Sequence, residues 1–247
     1  ITLGKQTVLC HDTPAFIANR IGVMSGTALV NLTIDYKMSI EEVDAITGPL
    51  IGRPKTATFK LQDLVGLDTS EKVSEFVMNS VKNDDFFEDL KTKDVPKFMS
   101  YLLDNKFYGN KSGKGFYQKT KDRDSKGRSI INVLNLETLE YDKTVRPKLK
   151  IVKEGKSIQN IGKRLSFLIS GNDRENLFLK DYFTALFDYS AQRAPEISSA
   201  YYQIDDAMRT GYFWDFGPFE IWDSLGFNAG AELIQNSGSS LPEWIKI

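Results

Sequence analysis

Apolar residues recur at intervals of three and four through most of the chain, which predicts a mainly α-helical protein. The plainest run is Ile17, Ile21, Met24, Ala28 and Leu32. Thr13 is placed to cap this helix, and Pro14 falls in the first turn, where its missing N–H costs nothing. Phe16, Val23 and Val30 add apolar character on neighbouring faces, so the helix is expected at the centre of its domain. Ser39-Ile40-Glu41-Glu42 has the capping-box pattern and opens a second helix that carries Val43 and Ile46 inward. Gly48 to Pro54 ends it. A short helix follows through Phe59, Leu61, Leu64 and Val65 and stops at Gly66. Thr69 or Ser70 is placed to cap the next, whose face is Val73, Phe76, Val77 and Val81. Val95-Pro96 starts another, with Phe98, Leu102 and Tyr101 toward the core.

The pattern changes after Gly115-Phe116-Tyr117. Residues 119–128 are highly charged and read as a solvated loop or hairpin tip. Residues 130–136 and 139–141 are β-prone and a turn apart, which predicts a small hairpin. This divides the chain into a helical unit over 1–118, a connector over 119–150 and a second helical unit over 151–247. In the second, helices are expected over 157–169 and 175–192, with Pro195 introducing a further one that reaches Met208.

An internal repeat supports two units. Phe59, Asp63 and Gly66 match Phe219, Asp223 and Gly226, each pair 160 residues apart. Upstream, Val43-Asp44 matches Ile204-Asp205 after a one-residue gap. The agreement with the predicted helical order favours a duplication.

Composition mostly removes possibilities. The 247 residues carry 32 basic and 33 acidic side chains, so no net field draws in nucleic acid or an anionic membrane. No apolar run approaches the ~20 residues that span a bilayer. One cysteine forbids an intrachain disulfide and suits the cytoplasm. One histidine and one cysteine also exclude the usual zinc motifs. No glycine fingerprint of a dinucleotide-binding fold or phosphate loop is present. The start, Ile1 to Lys5, reads as a cut through a longer protein.

Three motifs stand in order: Asp12-Thr13-Pro14-Ala15-Phe16-Ile17-Ala18-Asn19-Arg20, then Arg53 to Asp68 around Phe59-Lys60-Leu61-Gln62-Asp63-Leu64-Val65-Gly66-Leu67-Asp68, then Lys111-Ser112-Gly113-Lys114-Gly115-Phe116-Tyr117. They resemble the C-terminal helical region of the 3-hydroxyacyl-CoA dehydrogenases, where the patterns read D-T-P-G-F-I-x-N-R, G-P-F-x-x-x-D-x-x-G-L-D and K-T-G-x-G-F-Y. Ala15 stands where the family has Gly, and Ala57-Thr58 where it has Gly-Pro. The form around Arg53 is closer to the multifunctional bacterial β-oxidation proteins. The resemblance implies two tandem helical units of the 6-phosphogluconate dehydrogenase C-terminal-like type. It also implies NAD-dependent oxidation of 3-hydroxyacyl-CoA to 3-ketoacyl-CoA. The NAD would be bound by a nucleotide-binding domain that precedes the motif and carries the catalytic His–Glu pair. An enoyl-CoA hydratase domain is a possible further partner. The chain alone is then expected to be inactive. In single-unit members the helical domain forms the homodimer contact, so the second unit is expected to occupy a partner's place.

Asn19 is the candidate catalytic residue. One turn into an apolar helix, its amide is expected to be buried, and an unpaired buried amide costs about 1–3 kcal/mol. A structural amide remains open on physics alone; the resemblance places it at the reaction centre. Arg20 reads as a helix-packing ion pair, with a reach to CoA phosphates as the alternative. His11 reads as a surface imidazole, Cys10 as an inert thiol, and Phe59, Asp63, Phe219 and Asp223 as packing residues. The aromatic cluster Tyr201-Tyr202, Tyr212-Phe213-Trp214, Phe216, Phe219 and Trp222 reads as core, with a ligand wall as the alternative. The rival to an enzyme part is a helical interaction module without acyl-CoA contact.

Overall fold

Two long helices form the centre of the computed structural model, which describes residues 4–245. Helix α1 (Ala18–Asp35) and helix α9 (Arg174–Ile197) lie antiparallel. The order of their contacts requires it: Arg20 meets Tyr189 and Glu196, Ser25 meets Tyr182, and Tyr36 meets Asp181. Ile21, Met24, Ala28 and Leu29 of α1 are buried, as are Phe178, Leu179, Tyr182, Phe183, Leu186 and Phe187 of α9. Apolar side chains at helical spacing, aliphatic on α1 and largely aromatic on α9, explain the shared core.

Each long helix opens a similar series. After α1 come α2 (Ile40–Ile46), α3 (Phe59–Val65) and α4 (Leu67–Ser80), then α5 (Asp85–Lys91) and α6 (Lys97–Asp104). The antiparallel strands β1 (Tyr117–Arg123), β2 (Ser129–Leu134) and β3 (Tyr141–Lys143) form one sheet in that order. Helices α7 (Lys150–Gly155) and α8 (Ile161–Ser170) lead to α9, and α10 (Tyr202–Gly211), α11 (Pro218–Leu225) and α12 (Phe227–Asn236) follow it.

The repeat extends to backbone detail. Gly66 joins α3 to α4 at φ 96°, ψ 125°, and Gly226 joins α11 to α12 at φ 97°, ψ 138°, a left-handed corner that favours glycine. Asp44 on α2 accepts from the Thr58 and Phe59 N–H groups that open α3, at 3.0 and 2.7 Å. Asp205 on α10 accepts from Phe219 N–H at the start of α11, at 2.8 Å. In both units a buried carboxylate from one helix caps the next.

Several expectations need correction. The capping box at Ser39 and Glu42 is present, but Thr13 does not cap α1. Ala15 and Phe16 take φ 65° and 55°, and that left-handed pair delays the helix to Ala18. Gly66, not Thr69 or Ser70, precedes α4. The stretch at 157–169 starts only at Ile161, where the Asn160 side chain accepts from Lys163 N–H. Pro195 does not start a helix but lies inside α9. Of the charged residues expected as a loop or hairpin tip, 119–123 belong to β1, paired with β2 as Tyr117↔Val133 and Lys119↔Ile131, and 124–128 form the tip between the two strands. Much of β1 is exposed, so it carries charge without the alternation that marks a half-buried strand. No helix among the described residues is long and apolar enough to cross a membrane.

Candidate functional site

The left-handed turn at Ala15 and Phe16 decides what the start of α1 shows to solvent. It sends Ile17 into the core at 2% exposure and turns the Phe16 ring outward. Phe16 N–H closes the turn onto the Thr13 carbonyl at 3.0 Å. The incoming strand is fixed by His11. Its backbone N–H reaches Ile197 O at 3.0 Å, and its ring nitrogens lie 2.9 Å from Glu196 O and 2.9 Å from Ser199 Oγ. His11 therefore ties the chain to the end of α9, while Cys10 is exposed.

Asn19 is exposed, contrary to the buried amide expected from the sequence. The apolar stripe of α1 continues past it on other faces. Its amide makes no hydrogen bond among the described residues and lines an open groove of about 680 Å³ between α1 and α4. Phe16, Thr69, Lys72, Val73 and Phe76 line the same groove. Phe16 and Phe76 are both more than half exposed. The arrangement offers an amide donor and acceptor beside apolar rings, with one cation nearby. That suits a ligand with an apolar segment and hydrogen-bonding oxygens.

Arg20 sets the orientation. Fully buried, its guanidinium lies 2.6 Å from Asp84 and 3.1 Å from Glu196, and its Nε donates to Tyr189 Oη at 2.7 Å. Tyr189 donates in turn to Asp84 at 2.8 Å. Burial raises the Tyr189 pKa and keeps the hydroxyl neutral. With its donors spent on α9 and the start of α5, Arg20 is a packing residue and does not point to solvent. The preceding residue, Asn19, lies about 100° around the helix axis and is held facing the groove.

Beside Asn19, the Ala18 and Gly22 side of α1 meets the second unit. A Cβ on Gly211 would stand 3.3 Å from Ala18 Cβ, and the Tyr212 ring occupies the space that a side chain on Gly22 would need. Burial raises the Tyr212 pKa. Its hydroxyl has no hydrogen-bond partner among the described residues. Sequence reasoning placed Tyr212 inside an aromatic cluster. That cluster divides in the structure: Trp214, Phe219 and Trp222 are core, whereas Tyr201, Tyr202 and Phe213 are exposed. Gly22 and Gly211 are the sequence signals of this close approach.

The remaining carboxylates serve packing. Asp63 accepts from Phe116 and Tyr117 N–H at 2.8 and 2.7 Å, locking the glycine-rich turn under Phe59. Burial, opposed by those two N–H groups, pushes its pKa up to about 6. Burial likewise pushes Asp205 up to about 7 against the Phe219 N–H. Burial also raises Asp44, with Lys60 opposing. A hollow of about 750 Å³ opens beside Asp63 and Tyr117, but their polar atoms are already engaged. No group of three potential metal-binding side chains occurs among the described residues.

A nicotinamide dinucleotide needs a parallel strand–turn–helix unit whose N–H groups receive the pyrophosphate. The described residues hold one antiparallel sheet, and the turn at 109–115 is packed on Asp63. They do not fit that cofactor.

Residues 16–119 match the family model described as 3-hydroxyacyl-CoA dehydrogenase, C-terminal domain. A Bacillus subtilis protein described as a probable 3-hydroxyacyl-CoA dehydrogenase is 36% identical over 244 residues, or 99% of this chain and 30% of that protein. A Rickettsia prowazekii protein, provisionally described as a fatty acid oxidation complex trifunctional enzyme, is 28% identical over 235 residues, or 95% of this chain and 30% of its own length. The chain thus spans under a third of these relatives. The crystal structure of an Escherichia coli 3-hydroxybutyryl-CoA dehydrogenase superposes with TM-score 0.62 at 19% identity, covering 95% of this chain and 58% of that one. This last likeness shows the fold.

Proposed function

On the premise that residues 16–119 belong to the C-terminal domain family of the 3-hydroxyacyl-CoA dehydrogenases, we propose that this chain is the substrate-side helical part of an NAD-dependent member acting in fatty-acid oxidation. Asn19 is its substrate-positioning residue. The observation that carries the reading is the Asn19 amide, without a partner at the rim of the groove between α1 and α4. The amide N–H donates to an acyl-thioester or 3-keto oxygen, and its carbonyl accepts from a 3-hydroxyl. The exposed Phe16 and Phe76 rings exclude water once a nucleotide-binding domain covers them. The dinucleotide and the His–Glu pair belong to that domain, outside the described residues. The relative described as trifunctional supports further catalytic domains as neighbours, and the motif form around Arg53 makes an enoyl-CoA hydratase domain the one proposed.

The test is NADH oxidation dependent on acetoacetyl-CoA. The 247-residue chain alone is expected to show none. In the complete dehydrogenase, Asn19→Ala is expected to lower kcat/KM about 10²-fold, the scale of losing one positioned donor. Activity in the isolated chain, or a wild-type rate in the variant, would overturn the proposal; the second result favours an interaction module without acyl-CoA contact.

A further inference from the structure

We infer that the second helical unit contributes a binding residue to the Asn19 site: Tyr212, whose hydroxyl hydrogen-bonds the acyl-CoA substrate, bordered by the ring of Phe213. This rests on the reading of Asn19 given above and adds to it a residue from the other half of the chain.

Position comes first. The C-terminal end of α10 lies on the first turns of α1, with Gly211 against Ala18 and the Tyr212 ring over Gly22. Asn19 and Gly22 are three apart, neighbours along one side of a helix. The hydroxyl therefore lies about one helical turn from the Asn19 backbone.

Availability comes next. Most polar side-chain atoms away from bulk water are paired, and each exception calls for an explanation. The Tyr212 hydroxyl has no hydrogen-bond partner among the described residues. Tyr212 is half-buried rather than part of the core, and its hydroxyl is not among the fully enclosed unpaired atoms, which include Thr13 Oγ1 and Ser190 Oγ.

Strain in the same loop is an independent observation. Phe213 takes φ 56°, and its ring is 75% exposed. A bulky side chain rarely adopts that backbone region, and such residues cluster where a loop is held for function. The loop is anchored from within by Trp214, which is 6% exposed and stacked 3.9 Å from the Arg53 guanidinium. An anchored loop thus places a phenol about one turn from a free amide. A 3-oxoacyl thioester carries two oxygens in a 1,3 relation, and an amide and a phenol at neighbouring positions along one side of α1 offer one hydrogen-bonding group to each.

The experiment uses the complete dehydrogenase. Tyr212→Phe removes only the hydroxyl. KM and the calorimetric Kd for acetoacetyl-CoA are expected to rise about three- to tenfold, the scale of one hydrogen bond. The value of kcat should stay within about twofold and Tm unchanged, since the hydroxyl bonds to nothing in the protein. Unchanged KM and Kd, or a lowered Tm, overturns the inference. Phe213→Ala is expected to raise KM more for long acyl chains than for the four-carbon substrate; equal effects remove Phe213 from the site. If Asn19→Ala loses activity while Tyr212→Phe changes nothing, only the second unit's share falls. If neither variant has an effect, both readings fall.

Discussion

Ala15 and Ala57 occupy backbone conformations that suit glycine, with φ 65° and 50°. These are two of the positions where the chain departs from the family pattern. The left-handed region costs an ordinary residue about 1–2 kcal/mol, so the glycines of that pattern have a conformational reason. At the half-buried Ala15, glycine would relieve the strain at the expense of about 0.4–1 kcal/mol in unfolded-chain entropy. Ala15→Gly is therefore expected to stabilise by about 0.5–1 kcal/mol, raising Tm by a few degrees. Ala57 is buried at 7% exposure, and losing its methyl costs a further ~0.8 kcal/mol. Ala57→Gly should come out near neutral. Parallel urea titrations check both; a destabilised Ala15→Gly would show that the turn depends on the methyl contact instead. The same residues show where sequence reasoning stopped. Thr13-Pro14 has every local mark of a helix start, and the motif comparison flagged Ala15 without saying what glycine does there. The exposure of Asn19 followed from that hidden turn.

Pro195 gives the corresponding lesson for an element. It reads as the start of a helix because it cannot donate to the carbonyl four residues back. That carbonyl belongs to Ala191, and Trp244 Nε1 donates to it at 2.9 Å. The C-terminal segment is held along α9 at two more points, Ser239 to Asp188 and Gln192 to Ser240. A donor from 53 residues away lets the helix continue to Ile197, and no local pattern could have revealed it. Trp244→Phe keeps an aromatic ring near Tyr201 and Phe219 but removes the N–H. It is expected to cost about 1 kcal/mol, since partial exposure lets water replace some of the bond. Pro195→Ala restores the backbone donor, so Trp244→Phe should cost much less in that background. Equal costs in both backgrounds would remove the explanation. Trp244 also clarifies the repeat. Phe59 packs edge-on against Phe116 at 4.7 Å, and Phe219 packs edge-on against Trp244 at 5.9 Å. Each unit thus closes over its phenylalanine with a later aromatic. The carboxylates diverge: Asp63 caps the turn at Phe116, whereas Asp223 stays exposed. The motif match was legible at all three positions, but the shared role of Asp44 and Asp205 was not, because it depends on how two helices cross.

At the scale of the whole molecule, the two helical units share a core rather than each closing its own. One apolar cluster contains Ile21 and Met24 of α1 together with Phe183 and Leu186 of α9. Polar ties cross the same boundary: Arg20 with Tyr189 and Glu196, and Ser25 with Tyr182. Arg53 of the first unit lies 4.8 Å from the Tyr182 ring and 3.9 Å from the Trp214 ring of the second. The boundary pairs also reflect an approximate twofold, since Arg20–Glu196 has its counterpart in Tyr36–Asp181. Residues 1–118 without α9 would expose the inner face of α1 and leave the Arg20 guanidinium and Asp84 without Tyr189. Removing one side of a buried charged network costs several kcal/mol, a large share of the ~5–15 kcal/mol that holds a domain folded. The chain should therefore unfold in one calorimetric transition, with van't Hoff and calorimetric enthalpies equal. A fragment of residues 1–118 should lose its near-UV circular dichroism. Two resolved transitions, or a fragment with native-like tertiary signals, would show that each unit folds alone and that the shared core is only an interface.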